Sequence, residues 1–256
     1  MHMDRRQFVK NLGLGTASLS MGSLVTASSC APSGDSSLKQ NVKEGEDGQF
    51  LFIGDDIAIA QTEYGKVQGY LLNHVYTFLG VPYGADTSGK NRFMPPQKPE
   101  PWTDVRPAVF YGNTAPQRME NRWPNNYGTF ADHWNYWDVS EDCLYLNVWT
   151  PGIADGKKRP VLVWLHGGGF TNGSGIEQDG YHGENISREG DIVFCSINHR
   201  LGPIGFSDLS GVGGEAYKDS GNVGMLDIIA ALRWVHDNIA NFGGDPGNVT
   251  VMGQSG

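Results

Sequence analysis

Four residues at the end of the chain have the types and spacing of a nucleophilic serine site. Gly253-Gln254-Ser255-Gly256 matches the first four positions of the pattern G-x-S-x-G and follows an apolar run, residues 248–252. In this pattern a serine lies on a sharp strand-to-helix turn that exposes its hydroxyl above a sheet. Glycine and serine are also common in ordinary turns, so the motif alone does not assign a function.

A glycine-rich segment earlier in the chain has the composition of an oxyanion-binding loop. His166-Gly167-Gly168-Gly169 follows residues 161–165, an apolar run typical of a buried strand. Ester hydrolysis passes through a tetrahedral oxyanion, which backbone N–H groups stabilise at about 2.7–3.1 Å. Glycines let the backbone approach that closely. A position directly after a strand therefore favours oxyanion binding over a flexible turn.

Two strands and one helix are predicted to position these segments. Residues 191–197 and 248–252 are apolar runs, and between them apolar residues recur at helical spacing from Met225 to Ile239. A Gly/Pro segment, residues 241–246, ends the helix. This order indicates a parallel crossover unit and hence an α/β fold. Short strands before residue 85 predict a small antiparallel sheet as well.

Length, composition and charge exclude several classes of function. The chain has 256 residues, 39% of them hydrophobic and 18% charged, which suits one soluble domain with a sizeable core. Its net charge of −9 disfavours nucleic acid as a partner. His166, His182 and His199 lie on separate segments, so the sequence predicts no metal site and no cofactor.

Residues 1–30 are predicted to be an address signal outside the fold. Arg5 and Arg6 precede an apolar residue and Lys10, and a mildly apolar run follows from Leu12 to Val25. This order resembles a twin-arginine export signal of bacteria. A disordered basic tail is the alternative. The run is too short and too polar for a stable transmembrane span, so we expect an exported protein.

The end of the signal allows two outcomes. Small residues before Cys30 resemble a bacterial lipoprotein signal, in which a lipid on Cys30 would tether the protein to the membrane. Cleavage near Ala27-x-Ser29 would instead leave a soluble periplasmic protein. Residues 31–50 are polar and predict a flexible tether, and residues 51–256 are predicted to be the folded domain.

Several longer motifs add a family resemblance. They are F-L-G-V-P-Y at residues 78–83, E-D-C-L-Y-L-N-V at 141–148, H-G-G-G-F at 166–170 and N-H-R-L-G-P-I-G-F at 198–206. Together with the serine motif they resemble, in order, the type-B carboxylesterases, the cholinesterase-like branch of the α/β-hydrolases. That family has N-Y-R at the last motif, where this chain has N-H-R. The resemblance implies the N-terminal portion of an α/β-hydrolase fold, with a mostly parallel central sheet.

The resemblance also implies roles for particular residues. Ser255 would be the nucleophile that forms an acyl-enzyme with a small-molecule ester. The N–H groups of Gly168, Gly169 and Gly256 would form the oxyanion hole, and His166 would order the loop. The alternative is a cholinesterase-like binding protein that kept the fold and lost catalysis.

In this family the catalytic acid and histidine follow the serine in chain order. The resemblance therefore implies that both lie downstream of residue 256 and that this chain alone is inactive. Asp227 and Asp245 are excluded as catalytic acids on the same ground. We expect them to bond buried backbone or an arginine such as Arg200 or Arg233.

The chain departs from the family in one long segment. The family's cysteine in G-x-x-C-x-Q is replaced by Ala115, so the usual disulfide to Cys143 cannot form, and packing must hold the loop. Cys195 lies in an apolar run and is predicted to be a core residue. The loop is rich in aromatic residues, which either attach it to the body or, at Trp134 or Trp137, contact substrate.

Overall fold

The computed structural model describes residues 50–118 and 138–256. The predicted export signal and the loop that carries Trp134 and Trp137 therefore lie outside the described residues. Ten strands occur in the described part: β1 Leu51–Phe52, β2 Ile59–Gln61, β3 Lys66–Gln68, β4 Tyr70–Leu72, β5 Val75–Pro82, β6 Arg106–Pro107, β7 Tyr145–Thr150, β8 Arg159–Leu165, β9 Val193–Ile197 and β10 Gly244–Gly253.

The α-helices lie in the second half of the described chain. The four α-helices there are α1 Glu184–Gly190, α2 Gly202–Phe206, α3 Ser210–Gly213 and α4 Val223–Asn238. Single turns of 3₁₀ helix lie at Gly89–Asn91, Asp179–Tyr181, Glu215–Tyr217, Ser220–Asn222 and Ile239–Phe242. The predicted helix from Met225 to Ile239 corresponds to α4, and the predicted strands 161–165, 191–197 and 248–252 correspond to β8, β9 and β10.

Seven strands form one mixed sheet in the order β1-β4-β5-β7-β9-β8-β10. β8 pairs in parallel with β9 on one side and with β10 on the other, while the pairs from β1 through β9 are antiparallel. The predicted α/β fold and the parallel crossover between β9 and β10 are confirmed. The remaining short strands form a separate sheet in the order β2-β3-β6.

The large sheet is covered on both faces because its central strands are apolar on both sides. Val148, Val163 and Cys195 belong to the larger core cluster, which also contains the buried face of α4. Trp149 and Phe194, their neighbours in sequence, belong to a second cluster on the opposite face. Strands buried on both faces have near-continuous apolar sequences, which is the pattern these segments have.

Helix α4 presents a buried stripe to the sheet at helical spacing. Its buried positions are Val223, Gly224, Asp227, Ile228, Ala231, Trp234, Val235 and Asn238. Spacings of three and four residues put these side chains on one face. One member of the stripe is a carboxylate, so its burial needs a partner of opposite charge.

Arg200 supplies that partner in a fully buried ion pair. Its Nη2 lies 2.7 Å from Asp227 Oδ1, and its Nε lies 2.8 Å from Asp227 Oδ2. The Arg200 backbone N–H also donates to Oδ2, at 3.0 Å. The exposed fractions of the two side chains are 1% and 0%. The predicted structural role of Asp227 is therefore found, and the pair connects α4 to the segment after β9.

The loop before β7 is closed at its base without a disulfide. Cys143 and Cys195 are both free and buried among the described residues. Thr114 and Val139 form a parallel β-bridge, in which Thr114 N–H donates to Asp138 O at 2.8 Å. Backbone hydrogen bonds thus hold the two ends of the loop together. No helix in the described residues is long and apolar enough to cross a membrane.

We predict that Asp227→Ala lowers the free energy of unfolding by about 3–5 kcal/mol, because it leaves the Arg200 guanidinium buried without its carboxylate. Urea unfolding of the natural protein, followed by tryptophan fluorescence, measures this change. Glu215→Ala is the control, since it removes the partner of Lys218 from an exposed pair and should change stability by less than about 1 kcal/mol. Equal losses in the two variants would contradict a stabilising role for the buried pair.

Candidate active site

The parallel pairing of β8 and β10 brings the glycine loop and the serine turn to the same edge of the sheet. Met252 pairs with Trp164 and Gly253 pairs with Leu165. Gln254 N–H then donates to Leu165 O at 3.3 Å, beyond the last paired residues. Because the strands run in the same direction, His166 and Ser255 leave the sheet side by side.

Ser255 has a backbone conformation that residues other than glycine seldom adopt. Its φ is 60°, in the left-handed region, which L-residues with a Cβ occupy at a cost. Such strain persists only where the surroundings fix the backbone, and it concentrates at functional sites. A serine in a strained turn directly after a strand is the geometry of a nucleophile elbow.

The glycine loop is built from consecutive residues with positive φ. Gly168, Gly169 and Phe170 have φ values of 118°, 60° and 59°. A Cβ on Gly168 would overlap the carbonyl oxygen of Asn172, whose N–H donates to Gly168 O at 3.2 Å. Glycine at position 168 is therefore required both by the conformation and by the tight turn.

The glycine loop and the serine turn are in direct contact. Gly169 N–H donates to the carbonyl oxygen of Gly256. A Cβ on Gly167 would lie 2.6 Å from the carbonyl oxygen of Gln254 and 3.2 Å from Ser255 Cβ. The predicted site residues Ser255, Gly169 and Gly256 are thus brought together, and Gly168 lies in the same loop.

Side chains from distant segments hold the two loops, and no local sequence pattern predicts these contacts. Gln117 donates through Nε2 to Gly173 O at 2.9 Å and accepts from Gly173 N–H through Oε1 at 2.8 Å. Asn198 Oδ1 accepts from Gly175 N–H at 2.8 Å. Tyr181 Oη lies 3.4 Å from Gln254 Oε1. These contacts are not local in sequence, so only the tertiary fold reveals them.

Two buried histidines lie under the glycine loop. The rings of His166 and His199 stack with centroids 4.8 Å apart and an interplanar angle of 11°. His166 Nδ1 lies 2.7 Å from Gly167 O, and His199 Nδ1 lies 2.9 Å from Arg200 O. A carbonyl oxygen only accepts, so each Nδ1 carries a hydrogen. Burial lowers the pKa of His199.

An aromatic side chain flanks the serine turn on the open side. Phe170 is 44% exposed, and its ring lies 3.8 Å from the position that a Cβ on Gly256 would take. Its centroid lies 5.2 Å from that of Phe206. Phe170 therefore places a partly exposed apolar ring beside the serine turn.

The other predicted site residues have the following places. Trp134, Trp137 and Cys30 lie outside the described residues. Asp245 accepts from Gly247 N–H at 2.9 Å in an exposed local bond, not from the buried backbone or arginine that was expected. Within residues 50–118 and 138–256, no group of three or more His, Cys, Asp or Glu side chains could hold a metal ion.

Comparison with known proteins places this arrangement in a family. Residues 56–256 match the sequence model of the carboxylesterase family, and this range contains the glycine loop and the serine turn. The chain belongs to the carboxylesterase family. The family resemblance of the ordered motifs is therefore confirmed.

Carboxylesterases of known name are similar over most of the chain. Phenmedipham hydrolase of Pseudarthrobacter oxydans is 46% identical over 198 residues, 77% of this chain and 37% of that protein. Para-nitrobenzyl esterase of Bacillus subtilis is 44% identical over 77% of this chain and 38% of that protein. Acetylcholinesterase of Electrophorus electricus is 40% identical over 80% of this chain and 34% of that protein. The chain thus spans well under half the length of these relatives.

Solved carboxylesterase structures share the fold. An esterase from Clostridium hathewayi, described as hydrolysing aliphatic aromatic polyesters, superposes with a TM-score of 0.74 at 43% identity, over 81% of this chain and 40% of that one. A Geobacillus stearothermophilus carboxylesterase superposes with a TM-score of 0.67 at 42% identity, over 77% of this chain and 37% of that one. Both support the α/β-hydrolase fold.

We predict that Gly167→Ala destabilises the natural protein by about 1–3 kcal/mol, because the added methyl group pushes against Gln254 and Ser255. Thermal unfolding measures the loss. Gly211→Ala is the matched control, since nothing lies within 4 Å of a Cβ at that position. If both variants unfold at the wild-type temperature, the close approach of the two loops is wrong.

Proposed function

We propose that the protein is a serine carboxylic-ester hydrolase with Ser255 as its nucleophile. The observation that supports this most directly is the strained Ser255 turn, φ 60°, in hydrogen-bonded contact with the glycine loop. In the reaction Ser255 Oγ attacks the ester carbonyl carbon, the alcohol leaves with a proton, and an acyl-enzyme remains. Water then attacks the acyl carbon and frees the carboxylic acid and the serine.

The oxyanion of each tetrahedral intermediate would be held by backbone N–H groups of Gly168, Gly169 and Gly256. Gly168 and Gly169 lie in the positive-φ loop beside the serine turn, and a Cβ on Gly169 would lie 3.9 Å from Gly256 O. Preorganised donors of this kind contribute about 10²–10³-fold each to the rate.

The proton acceptor for Ser255 is proposed to come from sequence outside this chain. His166 and His199 use Nδ1 for backbone carbonyls and stack on each other, and the Asp227 carboxylate is bonded to Arg200. A serine hydroxyl is a weak nucleophile without an adjacent base. The family order of serine, acid and histidine and the short span against the relatives support this proposal.

The substrate is proposed to be a small-molecule ester, without a metal or an organic cofactor in the reaction. Relatives are named for hydrolysis of phenmedipham and of para-nitrobenzyl esters. Phe170 and Phe206 beside the serine turn suit a substrate with an apolar group next to its ester carbonyl.

We predict that Ser255→Ala in the natural protein abolishes labelling by a fluorophosphonate probe and lowers kcat for para-nitrophenyl acetate by on the order of 10⁴-fold or more, because the acyl-enzyme cannot form. Gel fluorescence and a chromogenic assay measure the two effects. Ser210→Ala, at a serine that bonds only locally to Asp208, is the control and should keep both. Labelling that survives Ser255→Ala would refute the assignment, and a folded wild-type protein with no labelling would favour the non-catalytic alternative.

We also propose that residues 1–30 export the protein from a bacterial cytoplasm. The arginine pair Arg5-Arg6, the apolar run after it and the small residues before Cys30 support a twin-arginine signal. The mature protein would then be periplasmic or, if Cys30 carries a lipid, membrane-anchored. A lipid of this kind would leave the α/β domain facing the periplasm.

We predict that changing Arg5 and Arg6 together to lysine keeps the protein in the cytoplasm, because the export machinery reads the arginine pair. Cell fractionation and immunoblotting of a host with a twin-arginine translocase measure this. Cys30→Ser tests the anchor separately, since it should abolish incorporation of labelled palmitate if Cys30 is the lipid site. Unchanged export of the double-lysine variant would exclude the twin-arginine route.

A further inference from the structure

The stacked histidines connect the glycine loop to the segment that carries the buried Arg200–Asp227 pair. His166 is the first residue of the glycine loop, and His199 follows the end of β9. His199 is followed directly by Arg200, whose backbone and side chain both bond to Asp227. The exposed fractions of the His166 and His199 side chains are 6% and 3%. The two rings therefore link the first residue of the glycine loop to the residue next to the buried ion pair.

We propose that His199 is a positioning residue for the oxyanion loop, which it holds in place through the His166 ring only while the His199 ring is neutral. This inference rests on the proposed esterase function. It concerns a residue that departs from the family motif, which has tyrosine where this chain has His199. Tyrosine and histidine both place an aromatic ring at position 199, but only histidine can gain a positive charge near neutral pH.

The contacts of the pair explain why neutrality matters. Each Nδ1 donates to a backbone carbonyl, so a second proton on either ring goes to Nε2. A neutral His199 ring stacks favourably on His166, whereas a positive His199 ring would place a charge in a buried site, 4.8 Å from its neighbour. If the His166 ring is displaced, Gly167 O moves with it, because His166 Nδ1 donates to that oxygen at 2.7 Å.

The charged group that acts on His199 is the Asp227 carboxylate. Asp227 favours the charged form of His199, but its carboxylate is bonded to Arg200. The pKa values of Tyr83 and Cys143 are raised well above their usual range by burial, so both groups are neutral near pH 7.

Two contacts place further groups around the pair. Tyr83 Oη donates to Asn198 O at 2.5 Å, one residue before His199. Glu177 is also buried, in the segment that Gly175 attaches to Asn198.

The sign of the pH effect follows from burial. The pKa of His199 is lowered by its loss of hydration, so the folded loop keeps the ring neutral at pH values where the unfolded chain would protonate it. Below the usual histidine pKa of about 6.5, the unfolded chain binds the extra proton, and stability is lost as the pH falls. The loop should therefore be ordered near pH 7–8 and loosen in acid.

The test uses the natural protein and its variants His199→Ala and His199→Tyr. Hydrogen exchange of the peptide that spans residues 166–172, followed by mass spectrometry, reports loop order without any need for catalysis. We expect His199→Ala to exchange faster there at pH 7.5, and His199→Tyr to match the wild type. Corrected for intrinsic exchange, the wild type should loosen between pH 7.5 and 5.5, while His199→Tyr should not.

Kinetics separate positioning from mere packing. We expect His199→Ala to lower kcat by about 10–100-fold with little change in KM, since a displaced donor affects mainly the transition state. His199→Tyr should recover most of kcat. As the pH falls from 8 to 5, the ratio of kcat for His199→Tyr to kcat for the wild type should rise, because only the wild type has a ring at position 199 that gains a proton. Titration of the general base affects both proteins equally and cancels in the ratio.

The outcomes decide between the two proposals. If His199→Ala exchanges at the wild-type rate and keeps the wild-type kcat, the proposed role of His199 is wrong. A kcat ratio that does not change with pH would also overturn it. If His199→Ala fails to fold, the comparison of His199→Tyr with wild type still decides. A wild-type protein that is not labelled at Ser255 would overturn the esterase function. The hydrogen-exchange measurement would still show whether His199 orders residues 166–172.

Discussion

The parallel pairing of β8 with β10 is the constraint on which the candidate site depends. The register of Gly253 with Leu165 makes the two strands end level, so the loop after β8 and the turn after β10 begin beside each other. A shift of one residue would turn every side chain of β10 to the opposite face and separate the loops. The contact between Gly169 and Gly256 exists only in this register.

Strain at the site is tolerated because the surroundings leave no relaxed alternative. Left-handed φ values at Ser255 and Phe170 cost on the order of 1–3 kcal/mol each. Phe170 O accepts from Gly202 N–H at 2.7 Å, which ties the end of the glycine loop to the start of α2. The buried pair of Arg200 and Asp227 fixes the same segment. The rigid scaffold therefore holds a backbone that an isolated loop would not keep.

Local chemistry made some of this predictable from sequence. Glycines at 168 and 169, and a serine between small residues at 255, carry their conformational requirements in their own residue types. The spacing from Met225 to Ile239 predicted the helix α4 but not its buried face, since Met225 and Ile229 are exposed and the buried stripe includes Asp227 and Asn238. The stack of His166 on His199 was not predictable, because the two residues are 33 positions apart and meet only through the register of β8 and β9. The clamp from Gln117 to Gly173 was invisible for the same reason.

Three consecutive residues after β9 organise the surroundings of the site. Asn198 donates to Asn113 O at 2.9 Å and accepts from Gly175 N–H, so it joins the base of the loop that lacks a disulfide to the segment after the glycine loop. Arg200 anchors the group to α4. His199, between them, contacts the first residue of the glycine loop. Asn198 and Arg200 have structural roles that need their own hydrogen-bonding groups. His199 contributes a ring stacked on His166 and one bond from Nδ1 to Arg200 O. In the positioning role proposed above, this ring is the one through which protonation would reach the glycine loop.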